Sequence, residues 1–335
     1  MRIAYLAEQH SGNGFYRGIG PMVALEQLRG HRVRPLREGA ALADVHDVDL
    51  LFVHRFSDEQ AQRLVREAKE HGAAVVWDND DDIGSVPKGT IAHRTFGGLE
   101  WERRLAGMRR IFQAVDLVTA PSAPLARRFA ELGAPRTQVI ENQVPTQFLQ
   151  LDSRPRSGVT IGWVAGLEHA MDAERLPIRA TLQRLLDERP DVHVFTIGLR
   201  LGLASERYRA LDIVPLFELT RELASFDIGI APIADLDFNR ARSNIKLKEY
   251  AAGGVPWLAS PIGPYEGMGE KQGGRLVPDD RWHEELTRLI DKPRDRSKLA
   301  KRARKWVADQ TLEKNVHAWD DALTATVERI RAAAA

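Results

Sequence analysis

Lys246 and Glu249 stand three residues apart in Ser243-Asn244-Ile245-Lys246-Leu247-Lys248-Glu249, a run rich in helix formers. On a helix that spacing puts both side chains on one face, a cation near the N-terminus and a carboxylate one turn further in. Such a face suits a nucleotide. Free backbone N–H groups and the positive end of the macrodipole receive phosphate, Lys246 neutralises it, and Glu249 accepts both hydroxyls of a ribose. The same spacing also fits an exposed amphipathic helix with an ordinary ion pair. Ser243 predicts the N-cap, Gly253-Gly254 the end of the helix, and Val255 to Ala259 a short buried strand beyond it. Just upstream, Asn239 and Arg242 add polar groups within reach of the same ligand, although Arg242 also fits a plain surface role.

Other stretches carry candidate chemistry. Ser11-Gly12-Asn13-Gly14-Phe15-Tyr16-Arg17 follows the first predicted strand. A dinucleotide fingerprint would need a third glycine where Arg17 stands, so Gly12 and Gly14 predict a loop whose backbone approaches a substrate, or else a plain structural turn. Trp77-Asp78-Asn79-Asp80-Asp81-Asp82 packs four carboxylates into five residues, which is costly unless cations or N–H groups answer them. An EF-hand loop is poorly matched, because Ile83 stands where its glycine belongs and Gly89 where its closing glutamate belongs. We read Asp80 and Asp81 as ligands of acceptor or sugar hydroxyls, answered by Arg55; a solvated acidic turn capping a helix is the alternative. Gly162-Trp163-Val164-Ala165-Gly166, with His169 and Asp172 behind it, and Gly198-Leu199-Arg200 also sit at the ends of predicted strands. There a lone histidine is as often a surface or capping residue, and a glycine as often a simple strand exit.

The elements that must position these residues are short apolar runs alternating with helix-length segments, the pattern of parallel sheets covered by helices. Strands are predicted at Ile3 to Ala7, Arg32 to Leu36, Asp49 to His54, Ala73 to Asp78, Asp116 to Ala120 and Gln138 to Asn142, with helices near Asp58 to His71, Leu99 to Ala114 and Ala123 to Leu132. Polar residues from Leu151 to Gly158 predict a domain boundary. The alternation then restarts with strands at Val159 to Val164, Val192 to Ile197, Asp227 to Ala231 and Arg275 to Val277, and a helix from about Asp172 to Glu188. Leu312, Val316, Trp319, Leu323, Val327 and Ile330 recur at spacings of three and four, an apolar helical stripe that must lie on something.

The run Ser243-Asn244-Ile245-Lys246, followed by Glu249-Tyr250-Ala251-Ala252-Gly253-Gly254-Val255-Pro256 and Ala259-Ser260, resembles the donor-binding helix of retaining GT-B glycosyltransferases of the group 1 or family 4 set. The resemblance implies an α/β protein of two Rossmann-like, doubly wound parallel-sheet domains facing a central cleft. Residues 1–152 would form the acceptor side, 158–310 the nucleotide-sugar side, and 311–335 a helix crossing back to the first domain. It implies that Glu249 holds the ribose while Lys246 and the amides at Ser243 and Asn244 hold the diphosphate. The loop after Gly162-Trp163-Val164 would wrap the phosphates through Gly166, completed by His169 and Asp172, with Gly198 and Arg200 on the same edge. Gly12-Asn13-Gly14-Phe15-Tyr16-Arg17 resembles the cleft-facing opening of a subgroup with bacterial and phage-encoded members. One departure stands out: Ala241 occupies the position where the pattern places a second glutamate.

The implied activity moves a sugar from a nucleoside-diphosphate sugar, such as a UDP-sugar, to a hydroxyl acceptor, with retention and with no metal or other cofactor required. The acceptor would be a glycan, a lipid-linked sugar or a hydroxymethylated DNA base; Arg94, Arg103, Arg104, Arg109 and Arg110 form either a phosphate-binding surface for the last of these or a solvated helix face. Rival readings are a non-catalytic binding protein of the same fold, suggested by Ala241, and an NAD-dependent oxidoreductase with its nucleotide at Gly12 to Gly14. Composition narrows the field further. With 335 residues and 43% hydrophobic content the chain can bury two cores, and 48 Lys plus Arg against 47 Asp plus Glu leave no global pull toward polyanions. The absence of cysteine excludes disulfides, thiolate nucleophiles and Cys-bound metals. No Gly-x-Ser-x-Gly, His-Glu-x-x-His or Gly-Lys-Ser/Thr motif occurs. No apolar run approaches a membrane span or a signal peptide, which predicts a cytoplasmic protein without a transmembrane segment.

Overall fold

The short apolar runs become the strands of two six-stranded, all-parallel sheets. The computed structural model describes residues 1–9, 11–95, 100–150 and 157–335. The first sheet holds β1 (Arg2–Leu6), β2 (Arg32–Pro35), β3 (Leu50–His54), β4 (Ala74–Asp78), β5 (Leu117–Ala120) and β6 (Thr137–Val139), in the order β2-β1-β3-β4-β5-β6. The second holds β7 (Val159–Ala165), β8 (Val192–Gly198), β9 (Tyr208–Leu211), β10 (Ile228–Ala231), β11 (Trp257–Ala259) and β12 (Gly274–Leu276), in the order β12-β11-β10-β7-β8-β9. Every residue of β3, β4 and β7 is buried, because helices cover both faces; that is why these strands are uninterrupted apolar runs. Each order reverses once, at β1/β3 and at β7/β10. Loops leaving a doubly wound sheet on opposite sides of such a reversal open a crevice at the carboxyl ends of the strands.

The last helix, Leu312–Ala334, returns to the first sheet. Leu312, Val316, Trp319, Leu323 and Val327 share one core with Ile3, Leu50, Phe52 and Val76, and Ile330 packs at its margin. Trp319 meets Phe52 edge-on, with ring centroids 5.8 Å apart. Thr311 caps this helix, accepting from the Lys314 N–H, and pairs with Val144 in a parallel bridge. The two chain crossings between the lobes therefore run side by side. The α/β architecture and the returning helix are those the sequence implied.

Several local expectations differ. Gly12 to Gly14 form no open loop: Ser11 Oγ accepts from the Gly14 N–H (2.9 Å), and a helix runs through residues 12–29 with a π segment at Phe15–Ile19. A Cβ on Gly14 would lie 2.0 Å from the Glu8 carbonyl oxygen, so only glycine lets the helix start this close to the end of β1. The expected helix from Asp172 to Glu188 is two helices, Ala170–Arg175 and Ile178–Glu188, separated at Pro177. The edge strand β9 and the helix Leu216–Leu223 have no counterpart in the sequence reading. The boundary expected from Leu151 to Gly158 falls, up to Arg156, outside the described residues, as does the expected helix start at Leu99. Among the described residues no helix is long and apolar enough to cross a membrane.

Trp319 is 1% exposed in the core between sheet and returning helix. Trp319→Ala is expected to destabilise the protein by about 3–5 kcal/mol, measured by urea denaturation. A loss below about 1 kcal/mol would show that this helix contributes little to holding the first lobe together.

Candidate functional site

The two strand-order reversals face each other, and polar side chains fill the space between them. From the first lobe come Glu8 and Asn13 after β1, Arg55 after β3, and Asp80 and Asp81 after β4. Among the described residues Arg55 is the one non-glycine with a positive φ, 66°, a strained conformation that clusters at functional positions. Its guanidinium bonds Glu8 Oε2 (3.2 Å) and Asp81 Oδ2, and lies 3.8 Å from Asp80 Oδ1. With its amide oriented to satisfy both ends, Asn13 donates to Asp80 Oδ2 (3.1 Å) and accepts from Arg55 (3.0 Å). His54 is fully buried behind them, 3.9 Å from Asp78 and Asp80, with neither ring nitrogen hydrogen-bonded. Burial alone would raise Asp80, but the guanidinium groups of Arg55 and Arg17, with the His54 ring close by, outweigh it and hold the carboxyl at about 2. Asp81 moves the other way: burial, with the charge of Asp80 beside it, pushes it up to about 7.

The second lobe answers with Gly166 to Asp172, Asn239 and Arg242. Asp172 is fully buried; its Oδ1 accepts from the Ala234 N–H and from Asn239 Nδ2 (2.8 Å each), and its Oδ2 holds His169 Nδ1 at 2.6 Å. The other ring nitrogen of His169 lies 3.2 Å from Arg242 Nη1, and Arg242 Nη2 bonds Glu168 Oε1 at 2.9 Å. Despite burial, the Arg242 guanidinium, with His169 beside it, keeps Glu168 at about 2. Gly166 precedes the short 3-10 turn Leu167–His169 that starts this network.

Between these groups lies the predicted pair. Glu249 is 3% exposed, and its two oxygens are shared between the lobes: Lys246 Nζ donates to Oε2 at 3.0 Å and the Tyr16 hydroxyl to Oε1 at 2.8 Å. Asn244, and not Ser243, is the N-cap of the helix Ile245–Ala252, and its side chain makes no capping bond. Ser243 Oγ accepts from the Ile245 N–H at the long distance of 3.5 Å and from Asn142 Nδ2 of the first lobe at 3.2 Å. The strand that follows is shorter than expected, Trp257–Ala259. Ala241 is buried in the first lobe's core cluster, and its carbonyl accepts from Ser122 Oγ.

Not every candidate arrives at the crevice. Arg17, expected at the substrate, has no exposed surface: it pairs with Asp78 (2.6 Å) and donates to the Ile140 carbonyl and to Asn142 Oδ1. Its alternation with Tyr16 on the π segment sends one side chain across the lobes and the other inward. Gly12 has open space around it. Gly198 has φ 96° and a Cβ there would sit 2.2 Å from the Ala165 carbonyl oxygen, a structural requirement, while Arg200 pairs with Asp212 at the surface (2.9 Å). Asp82 caps a turn, accepting from the Gly84 N–H and Ser85 Oγ. Glu8, Glu168, His54 and Asn142 were missed; their one sequence signal is position, at or within three residues of a strand's carboxyl end or, for Glu168, two residues past Gly166. Among the described residues the group with metal-ligand spacing is His46, Glu67 and His71, at the C-terminal end of the helix Glu59–Glu70, whose N-terminal end adjoins Arg55.

No protein-family profile matches the chain, and no curated protein matches it in sequence. Solved structures match its fold over nearly their whole length. Anabaena HepE in complex with UDP aligns with a TM-score of 0.68 at 13% identity, covering 97% of this chain and 100% of that one. An alpha-glucosyltransferase in complex with UDP aligns at 0.66 and 12%, covering 97% and 100%. Sucrose-phosphate synthase from Thermosynechococcus elongatus aligns at 0.63 and 13%, covering 100% of each chain. The chain has the GT-B fold.

The raised Asp81 carboxyl gives a pH signature. A carboxyl whose folded pKa lies above its unfolded value, about 3.9, stabilises most when protonated, and that contribution is lost as pH climbs to about 7. Asp81→Asn removes the loss, so its melting temperature relative to wild type is expected to rise between pH 4 and 7 and then level off. A difference that stays constant through that window, measured by thermal melts at stepped pH, would mean that Asp81 is ionised throughout.

Proposed function

We propose that the protein is a glycosyltransferase that moves a sugar from a nucleoside-diphosphate sugar to a hydroxyl acceptor across the crevice between its lobes. The observation that carries this reading is the placement of Glu249 and Lys246: both lie on the crevice side of a helix whose N-cap side chain makes no capping bond, and neither points into bulk solvent. The diphosphate would meet that first turn and Lys246, and the ribose hydroxyls would take the Glu249 oxygens that Tyr16 and Lys246 now occupy. As the leaving diphosphate gains charge, Lys246, Arg242 and the helix dipole stabilise it in a site from which closure removes water, where such interactions are strongest. His169, oriented by Asp172, presents its second nitrogen toward the same space.

A uridine nucleotide is supported by two of the matching proteins, HepE and the alpha-glucosyltransferase, which were solved with UDP, HepE also with UDP-glucose. Retention of the anomeric configuration is supported by the resemblance of the Lys246 to Glu249 stretch, with the leaving phosphate itself taking the acceptor proton. In this reading residues 1–152 receive the acceptor, 158–310 hold the donor, and 311–335 tie the two. Glu168 and Asp81 stand as carboxylates near Arg242, so the crevice is not short of acids despite Ala241.

Titration calorimetry with UDP-glucose tests the donor site. Glu249→Ala and Lys246→Ala are each expected to weaken binding roughly tenfold or more, since each removes a charge-assisted contact. Tyr16→Phe, which frees one Glu249 oxygen without touching the acid, is expected to tighten it by about two- to tenfold. Wild-type affinity in both the Glu249 and Lys246 variants would remove the basis for the assignment.

A further inference from the structure

A cavity of ≈ 770 Å³ opens on the first lobe directly beside the crevice, and one end of it is built by Glu8 and Arg55, the same two side chains that frame Asp81. From there it runs along the helix Trp101–Phe112, past Phe56 and Ile83 to Arg104 and Arg110. Its size is that of pockets that enclose a small ligand of a few rings.

The charges around this cavity do not cancel evenly. Glu8 is met by Arg55 (3.2 Å), Glu100 by Arg103 (2.9 Å) and Glu59 by Arg63 (3.5 Å), while Asp58 caps its helix by accepting from the Ala61 N–H (2.8 Å). Among the described residues no carboxylate comes within 4.0 Å of Arg104 or Arg110; Arg110 Nε bonds only the neutral Gln62 (3.3 Å). Two guanidinium groups on one wall thus keep their charge uncompensated, and guanidinium forks match phosphate and carboxylate groups. The opposite end offers carboxylate acceptors for hydroxyls, and Phe56 and Ile83 offer apolar surface for the C–H face of a sugar ring. A nucleic-acid duplex fits this less well, because it needs a continuous basic face, and here carboxylates interrupt the basic wall.

We propose that this cavity is the acceptor site and that the acceptor is an anionic saccharide, its phosphate or carboxylate held by Arg104 and Arg110 while its reacting hydroxyl lies at the Arg55 end. The inference rests on the glycosyl-transfer reading. The hydroxyl end is lined by Arg55, the one non-glycine with a positive φ among the described residues, which itself bonds Asp81 behind it; the anionic end fixes which way round the saccharide enters.

Calorimetric titration of the UDP-loaded protein with glucose 6-phosphate, glucuronate and glucose tests it, in wild type and in the double variant Arg104→Ala/Arg110→Ala. At least one of the two anionic sugars is expected to bind about tenfold tighter than glucose, and the double variant to lose that preference. A preference for glucose 6-phosphate alone identifies phosphate as the anion, and one for glucuronate alone identifies carboxylate. Equal binding of glucose, no binding of any of the three, or a preference that survives the double substitution would overturn the proposal. So would a 20-base-pair DNA duplex that binds with steep salt dependence in wild type and not in the variant. UDP titrated into wild type reports on the donor reading separately: if UDP fails to bind, that reading falls; if it binds and the anionic preference is absent, only the acceptor inference falls.

Discussion

A desolvated guanidinium holds this protein's working parts in register. Arg17 cannot be left unpaired where it sits, since an isolated buried charge costs several kcal/mol, so everything that answers it is constrained together. Asp78 at the end of β4 supplies the counter-charge, and Thr119 of β5 steadies the same carboxylate. The Ile140 carbonyl and Asn142 fix the segment leading out of the first lobe, and the Trp319 ring of the returning helix lies 4.7 Å from the guanidinium carbon. One side chain thereby ties the first helix, the sheet and both inter-lobe crossings. Its neighbour Tyr16 reaches Glu249, and Asn142 reaches Ser243, so the helix carrying Lys246 and Glu249 is referenced to the same point.

The crevice itself obeys the same electrostatic rule. Each buried acid has a cation or a set of donors: Asp80 and Asp81 have Arg55, Glu168 has Arg242, Asp172 has an amide, Asn239 and His169, and Glu249 has Lys246 and Tyr16. Such pairing lets a polar surface close on itself when the lobes meet. It also makes the surface exchangeable, because a ligand with hydroxyls and phosphates offers the same chemistry as the groups it displaces. The exceptions are instructive. The two ring nitrogens of His54 and Asp80 Oδ1 are buried without hydrogen bonds beside Arg55, the residue with a positive φ.

Connection between the lobes is stiff in one place and adjustable in another. Where the two crossings run in parallel, the Val144 carbonyl accepts from the Leu312 N–H and the Val144 N–H donates to the Gln310 carbonyl, and the Lys248 ammonium is buried against Glu141 and the Asn142 carbonyl. Elsewhere the lobes meet through side-chain hydrogen bonds such as Tyr16 to Glu249 and through small apolar contacts, Val86 with Met171 and Phe238, and Ala241 in the first lobe's core. Opening and closing would break the second set while preserving the first, which is how two-lobed enzymes admit a substrate and then exclude water.

How far the chain could be read without coordinates follows from which forces are local. Alternating apolar runs yield the strands and the parallel, doubly wound class, because strands buried on both faces must be apolar throughout; the stripe from Leu312 to Ile330 yields the last helix for the same reason. Lys246 and Glu249 were recognisable because helical spacing alone puts them on one face. The edge strand β9, with only four residues and an exposed arginine, carries no such pattern, and Ser243 looks like a plain cap when its hydroxyl is shared between the Ile245 N–H and Asn142 of the other lobe. Tertiary structure alone decided that Arg17 faces inward while Tyr16 crosses to Glu249, 233 residues away, and that Glu8, Glu168 and His54 join the site. Periodicity tells which residues share a face, but what that face meets depends on burial and charge compensation between segments far apart in the chain, and no local pattern encodes it.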